Sequence, residues 1–120
     1  MADPEPEVSS EKEEATETDE EYQKRFSFYI QRLDDDNEGV RWKAAESLGR
    51  LGDPAAVDPL IELLWDDDAR VRLKAAWALG QIGDPHALPP LQRLYRMENE
   101  NVKEIIKEAI KAIHEQMSAG

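Results

Sequence analysis

The chain has 120 residues, a net charge of −12 and no cysteine. That length leaves room for one domain, and the lack of cysteine excludes disulfide stapling, thiolate metal sites and thiol nucleophiles. No charged-then-apolar leader opens it and no apolar run approaches membrane-spanning length, so a cytoplasmic protein is expected.

Residues 1–21 hold ten acids and one base, Lys12, for a net −9, and the other 99 residues carry −3. Val8 is the one branched aliphatic residue in that stretch and no aromatic residue occurs there. So little apolar surface cannot offset the entropy of ordering, and residues 1–19 are expected to form a disordered acidic tail. The tail either solvates the chain or folds over Arg50, Arg70 and Lys74 until a partner displaces it. Tyr22 to Leu33 then supplies a helix over 20–33, within a half-unit spanning 20–37. In the next helix, 38–51, Val40, Ala44, Leu48 and Leu51 recur at i, i+4, i+8 and i+11, one apolar stripe. Gly52-Asp53-Pro54 ends it, since Gly accepts the left-handed conformation, Asp caps the next helix and Pro fits a first turn.

A helix over 54–65 comes next, carrying Val57, Leu60, Leu63 and Leu64. Pro59 lies inside it, which predicts an initial turn near 54–57 and a restart at the proline. Helices over 69–82 and 85–97 repeat the pair, with Gly83-Asp84-Pro85 as the stop and Pro90 as the second break. The last helix, 100–117, has Val102, Ile106, Ala109, Ile110 and Ile113 but no Gly-Asp-Pro stop. Asp35-Asp36-Asn37 and Asp66-Asp67-Asp68 offer capping acceptors ahead of two of these helices.

The repetition is explicit. Val40–Leu64 and Val71–Tyr95 are 31 residues apart and identical at 14 of 25 positions. A period between about 20 and 50 residues marks a solenoid, whose units bury their apolar faces on one another. The predicted fold is an all-α solenoid of about six helices, with full units at 38–68 and 69–99 and the terminal helix at 100–117. Leu48, Leu60, Leu79, Leu91 and Ile110 are expected to be among the most buried residues.

The pattern Val-Arg-x-x-Ala-Ala-x-x-Leu-Gly-x-Leu/Ile-Gly-Asp-Pro-x-Ala-x-x-Pro-Leu resembles the HEAT-like repeats named after phycobilisome (PBS) bilin lyases, from Tyr29 to about Ile113. The resemblance implies a HEAT-like α-solenoid in which Arg41 and Arg72 meet an inter-helix Asp of a neighbouring unit. It also implies that the first helix of each unit lines a concave face. The same repeat serves scaffolds, lyase subunits and hydroxylases, so the fold alone does not select a function.

On the first helices, Trp42 lies about 200° and Glu46 about 240° from Val40, away from the apolar stripe. Leu73 and Trp77 take the equivalent places on the next unit, and Glu104 and Glu108, with Ile105 alongside, on the last helix. Two tryptophans and a leucine in adjacent rows make an apolar patch suited to a partner, with Leu73 expected between the indoles. The candidate partner-binding set is Trp42, Lys43, Glu46, Arg50, Arg70, Leu73, Lys74, Trp77, Gln81, Glu104, Ile105 and Glu108. A second reading has Trp42 and Trp77 packing on each other and on aliphatic stems as a thin second core. Were both indoles fully buried, the face would move to the second helices, around Glu62, Trp65, Arg93 and Arg96.

No catalytic, cofactor or metal residue is assigned. Asp34-x-Asp36-x-Glu38-Gly39 imitates the start of a calcium loop, but its twelfth position is Ala45, with Glu46 one residue late. His114-Glu115 resembles the His-Glu pairs of iron-binding HEAT hydroxylases, which sit early in first helices. Trp42-Lys43 and Leu73-Lys74 stand at the comparable places here. His86 lies alone in a turn, and two isolated histidines make no metal site. Nucleic acid is disfavoured because Glu46, Glu104 and Glu108 interrupt the bases that would displace counterions. The expected function is a non-enzymatic protein–protein interaction or scaffold module, a monomer with a protein partner and no membrane. The alternative is an accessory subunit of an enzyme, such as a bilin lyase-type complex.

Overall fold

The computed structural model describes residues 16–119, so the tail expected at its N-terminus lies, over 1–15, outside the described residues. Within that span there are six α-helices: α1 (Asp19–Arg32), α2 (Glu38–Leu51), α3 (Val57–Leu63), α4 (Ala69–Ile82), α5 (Leu88–Met97) and α6 (Glu100–Ala119). Short 3-10 turns at Pro54–Ala56 and Pro85–Ala87 precede α3 and α5, and no strand occurs among the described residues. Ordered structure reaches slightly further back than residue 20. Thr18 and Glu21 exchange side chain and backbone hydrogen bonds in a capping box, and Glu17 pairs with Arg25 at 2.9 Å.

The repeat is visible in the caps. Asn37, Asp68 and Asn99, each 31 residues apart, turn a side-chain oxygen onto the free N–H groups at the start of α2, α4 and α6. Asp53 and Asp84 do the same for the two 3-10 turns. Gly52 (φ 70°) and Gly83 (φ 81°) close α2 and α4 in the left-handed region. The expected early turns are there, but the helices resume at Val57 and Leu88 rather than at Pro59 and Pro90. The prolines stand third in their helices, where an N–H would have no intrahelical partner, so they break nothing.

Helices α2, α4 and α6 lie side by side in one row, and α1, α3 and α5 back them, each against the first helix that comes after it. Close approach within the row depends on two glycines. A Cβ on Gly49 would come within 2.9 Å of the Ala78 Cα, and one on Gly80 within 2.8 Å of the Ala109 Cα. Leu48, Leu60, Leu79 and Leu91 are fully buried as expected. Ile110 is a correction: it is half-buried, and its neighbours Ile106 and Ile113 are the fully buried residues of α6. Ile110 points to the outer side of α6, which no further helix covers among the described residues.

Arg41 ties the units together. Its Nε and Nη2 donate to the two carboxylate oxygens of Asp66 at 2.8 and 3.1 Å, and Nη1 donates to the Asp35 carbonyl at 2.8 Å. Arg72 donates to the Asp66 carbonyl at 2.8 Å and forks onto Glu98. This corrects the expected pairing with an Asp of a neighbouring unit: each arginine meets an acid of its own unit, Asp66 for Arg41 and Glu98 for Arg72. The acid stands in the loop that follows the second helix of that unit, and it is the carbonyl acceptors that come from the unit before. Both pairs are largely shielded from water, so their geometry fixes register more than it adds stability.

Candidate functional site

The side chains that project from the row of first helices meet between α2 and α4. Trp77 leans across onto α2, where the backbone of Gly49 leaves it room: a Cβ there would lie 2.7 Å from the indole. The Lys74 ammonium stands 4.7 Å from the ring centroid of Trp42 and 4.7 Å from that of Trp77. One cation thus serves two π faces, an arrangement favoured by the ring quadrupoles. Glu46 completes the cluster, 3.6 Å from Lys74 Nζ and 3.2 Å from Arg50 Nη2. The hydrogen bond from Arg50, helped by the charges of Lys74 and Lys43, holds the Glu46 carboxyl below the usual carboxylate range.

Both indoles are half-buried and packed against the core. Neither is fully buried, so the condition for moving the face to the second helices is not met. The group found between the indoles is the Lys74 ammonium; Leu73 is half-buried on the same helix. Sequence angles place both residues on this face but do not rank them. The signal that singles out Lys74 is a lysine one turn before a tryptophan and opposite another.

The remaining predicted residues are dispersed. Arg70 is exposed, lies 3.0 Å from Asp68 and 3.7 Å from Glu38, and with Trp42 and Asn37 borders a cleft of about 380 Å³. Gln81 is exposed at the end of α4. On α6, Glu104 and Glu108 are exposed and Ile105 is half-buried, but among the described residues no ion pair or hydrogen bond joins them to the tryptophans. Glu104 instead faces Lys107 at 3.8 Å. Lys43 turns to the other edge of α2, where it borders a cleft with Phe28, Tyr29 and Arg32 that sequence reasoning does not find. On the second helices Trp65 is exposed, with the Arg93 guanidinium 6.0 Å from its ring.

Among the described residues no group of three or more His, Asp or Glu side chains could hold a metal. The calcium-loop imitation is occupied otherwise. The Asp35 and Asp36 carbonyls accept from Arg41, and Asp35 Oδ1 accepts from the Asn37 N–H. His86 Nδ1 donates to the Asp84 carboxylate at 2.8 Å in its exposed turn, and His114 is exposed on α6.

A family model for HEAT repeats matches residues 27–113, most of the chain. The chain belongs to the HEAT-repeat family. Matching HEAT repeats as a class, it carries the fold of that family without the phycobilisome-lyase subtype being part of the match. Among solved structures, this HEAT chain is similar to human deoxyhypusine hydroxylase in complex with glycerol, with a TM-score of 0.70 and 30% identity. The likeness covers 79% of this chain and 34% of that one, so the HEAT chain spans about a third of the hydroxylase. No curated protein matches it by sequence. No helix among the described residues is long and apolar enough to cross a membrane.

Proposed function

We propose that this HEAT chain is a non-enzymatic protein-interaction module that binds a partner polypeptide through the face of its first helices. The observation that carries the reading is the Trp42–Lys74–Trp77 stack: two half-open indoles held rigid on one face by a shared cation, with Glu46 and Arg50 at its edge. Rigid aromatic side chains lose little entropy on binding, and tryptophan is the residue most enriched at interface hot spots. The internal pairing of Lys74 and Glu46 leaves the patch nearly neutral, which suits burial against another protein better than it suits nucleic acid.

Affinity capture from native lysate, wild type beside Trp42→Ala/Trp77→Ala, tests the face. Polypeptides retained by the wild type and lost by the double variant support it; identical sets would remove it. With the partner in hand, binding should shift the tryptophan fluorescence, and alanine at either position should weaken binding by about 2 kcal/mol or more.

An accessory subunit of an enzyme is the second reading, favoured by the likeness to one third of a HEAT-repeat hydroxylase. It requires the captured polypeptide to carry an activity that rises when this chain is added. A captured partner with no such activity restores the simple interaction module.

A further inference from the structure

The repeat makes one uncovered surface interpretable. Val71, Ala75 and Ala78 of α4 have no exposed area because α2 lies over them, with Gly49 against Ala78. The residues one unit earlier on α2 are Val40, Ala44 and Ser47. Val40 and Ser47 are half-exposed, and together with Phe28 and Tyr29 of α1 they line an open cleft of about 370 Å³. Phe28 is 49% exposed, with the Arg32 guanidinium 4.2 Å from its ring centroid. This is the same helix-shaped seat that α4 offers to α2, with nothing in it among the described residues. It lies on the edge of α2 opposite the tryptophans, so it is separate from the face proposed above.

The charges at the rim select the occupant. The lining includes two bases, Arg32 and Lys43, and no acid. Neither base has an ion pair among the described residues. The other end of the row, the outer side of α6, offers Lys107, Lys111, His114 and Glu115. Stacking a second copy end to end would therefore set lysines against Arg32 and Lys43. We propose that the α1–α2 cleft is a docking site for an amphipathic helix of a partner protein, acidic along its flanks. Its apolar stripe adds a further first helix to the row, and a Gly or Ala in that stripe lies against Ser47, as Gly49 lies against Ala78. The seat from Gly39 to Ser47 is about 13 Å long, so roughly two to three turns of helix fill it.

The test uses the full-length chain, labelled with nitrogen-15, and two helix-constrained synthetic peptides. Both copy residues 38–51, the segment that already fills this seat one unit on. In one, the arginines and lysine become glutamates; in the other, the glutamates become lysines. The acidic peptide should shift the amides of Val40, Ala44 and Ser47 saturably and bind at least tenfold more tightly than the basic one. Lys43→Glu, an exposed change that leaves the core intact, should reverse the preference. Equal binding of the two peptides, no saturable shift, or shifts centred on Trp42 and Trp77 would overturn the proposal. So would two results without peptide: shifts at these amides on dilution, which mean a second copy fills the cleft, or their broadening by a spin label at Ser10→Cys, which means the chain's own N-terminal residues do.

Discussion

Leu79 and Ile110 stand 31 residues apart at the same place in the repeat, yet Leu79 has no exposed area and Ile110 is half-buried. Helix α4 has α2 on one side and α6 on the other, with α3 behind it. Helix α6 has α4 and α5, and its outer side is open among the described residues. The two side chains are alike in size and hydrophobicity; what separates them, among the described residues, is whether a further helix lies alongside. Burial in a solenoid is a property of the neighbour as much as of the residue.

The largest effect should come from the direct comparison. Leu79→Ala should lower the free energy of unfolding by about 2–5 kcal/mol, since it removes side-chain volume from a fully packed site. In a domain of this size that is a large part of total stability. Ile110→Ala should cost about 1 kcal/mol or less, because the lost atoms already meet water. Urea titration of both variants reads the difference, and equal costs would mean that α6 is covered after all.

The next effect compares the two helix stops. Gly52 and Gly83 share a left-handed backbone, but a Cβ at Gly52 meets nothing within 4 Å, whereas one at Gly83 comes within 2.9 Å of Gln116 Cγ. Gly52→Ala therefore isolates the conformational cost, about 1–2 kcal/mol. Gly83→Ala should cost slightly more, as Gln116 has to move. A Gly52→Ala variant as stable as wild type by urea titration would place that residue outside the left-handed region.

The features legible in the sequence are the local and repeated ones. The Asn37 and Asp68 caps, the glycine stops and the stripes through Leu48 and through Leu79 each depend on residues about a turn or less apart. Asn99, which sequence reasoning does not single out, repeats the cap one unit on. The arginine pairs at Asp66 and Glu98 need the family pattern, since 25 or more residues separate the partners. Ile110 departs from its expected burial because periodicity reports which way a side chain points, not whether anything stands there. The face is half legible. Angles bring Trp42, Trp77 and Glu46 together, but they do not tell that Lys74 of α4 reaches both rings, since that depends on how α4 packs against α2. The cleft beside Phe28 is invisible for the same reason as the exposure of Ile110: it is set by which neighbours stand there among the described residues, not by which way a side chain points.

A smaller effect compares two caps at one repeat position. Asn37 cannot titrate; Asp68 can, and the Arg70 guanidinium, aided by the N–H groups of Arg70 and Val71, pulls its pKa from 3.8 to about 2. A folded value below the unfolded one contributes stability that is present above pH 3.8 and lost as pH falls through about 2. Asp68→Asn keeps a capping acceptor but cannot titrate. Its urea midpoint should fall less steeply than that of the wild type between pH 4 and pH 2, a window set by the two values above. Parallel curves would show that Asp68 is not paired with Arg70 in solution.

The smallest effect belongs to the turn after α4. Asp84 uses one oxygen twice, accepting the His86 N–H at 2.9 Å and facing His86 Nδ1 at 2.8 Å. The hydrogen bond to Asp84, and then its charge, raises the His86 pKa above 6.5, while the bonds from His86 lower that of Asp84. The sign is opposite to that of Asp68: a raised value contributes stability fully present below pH 6.5 and lost as pH rises through the folded pKa. The ring is exposed, so solvent screens the pair, and the titration itself is the better readout than unfolding. In Asp84→Asn the amide oxygen can still accept from the His86 N–H, so the turn keeps its cap while the charge disappears. The His86 ring resonance should then titrate at lower pH than in the wild type. An unchanged midpoint would show that the imidazole swings away from Asp84 in solution, leaving the turn to its backbone N–H donors.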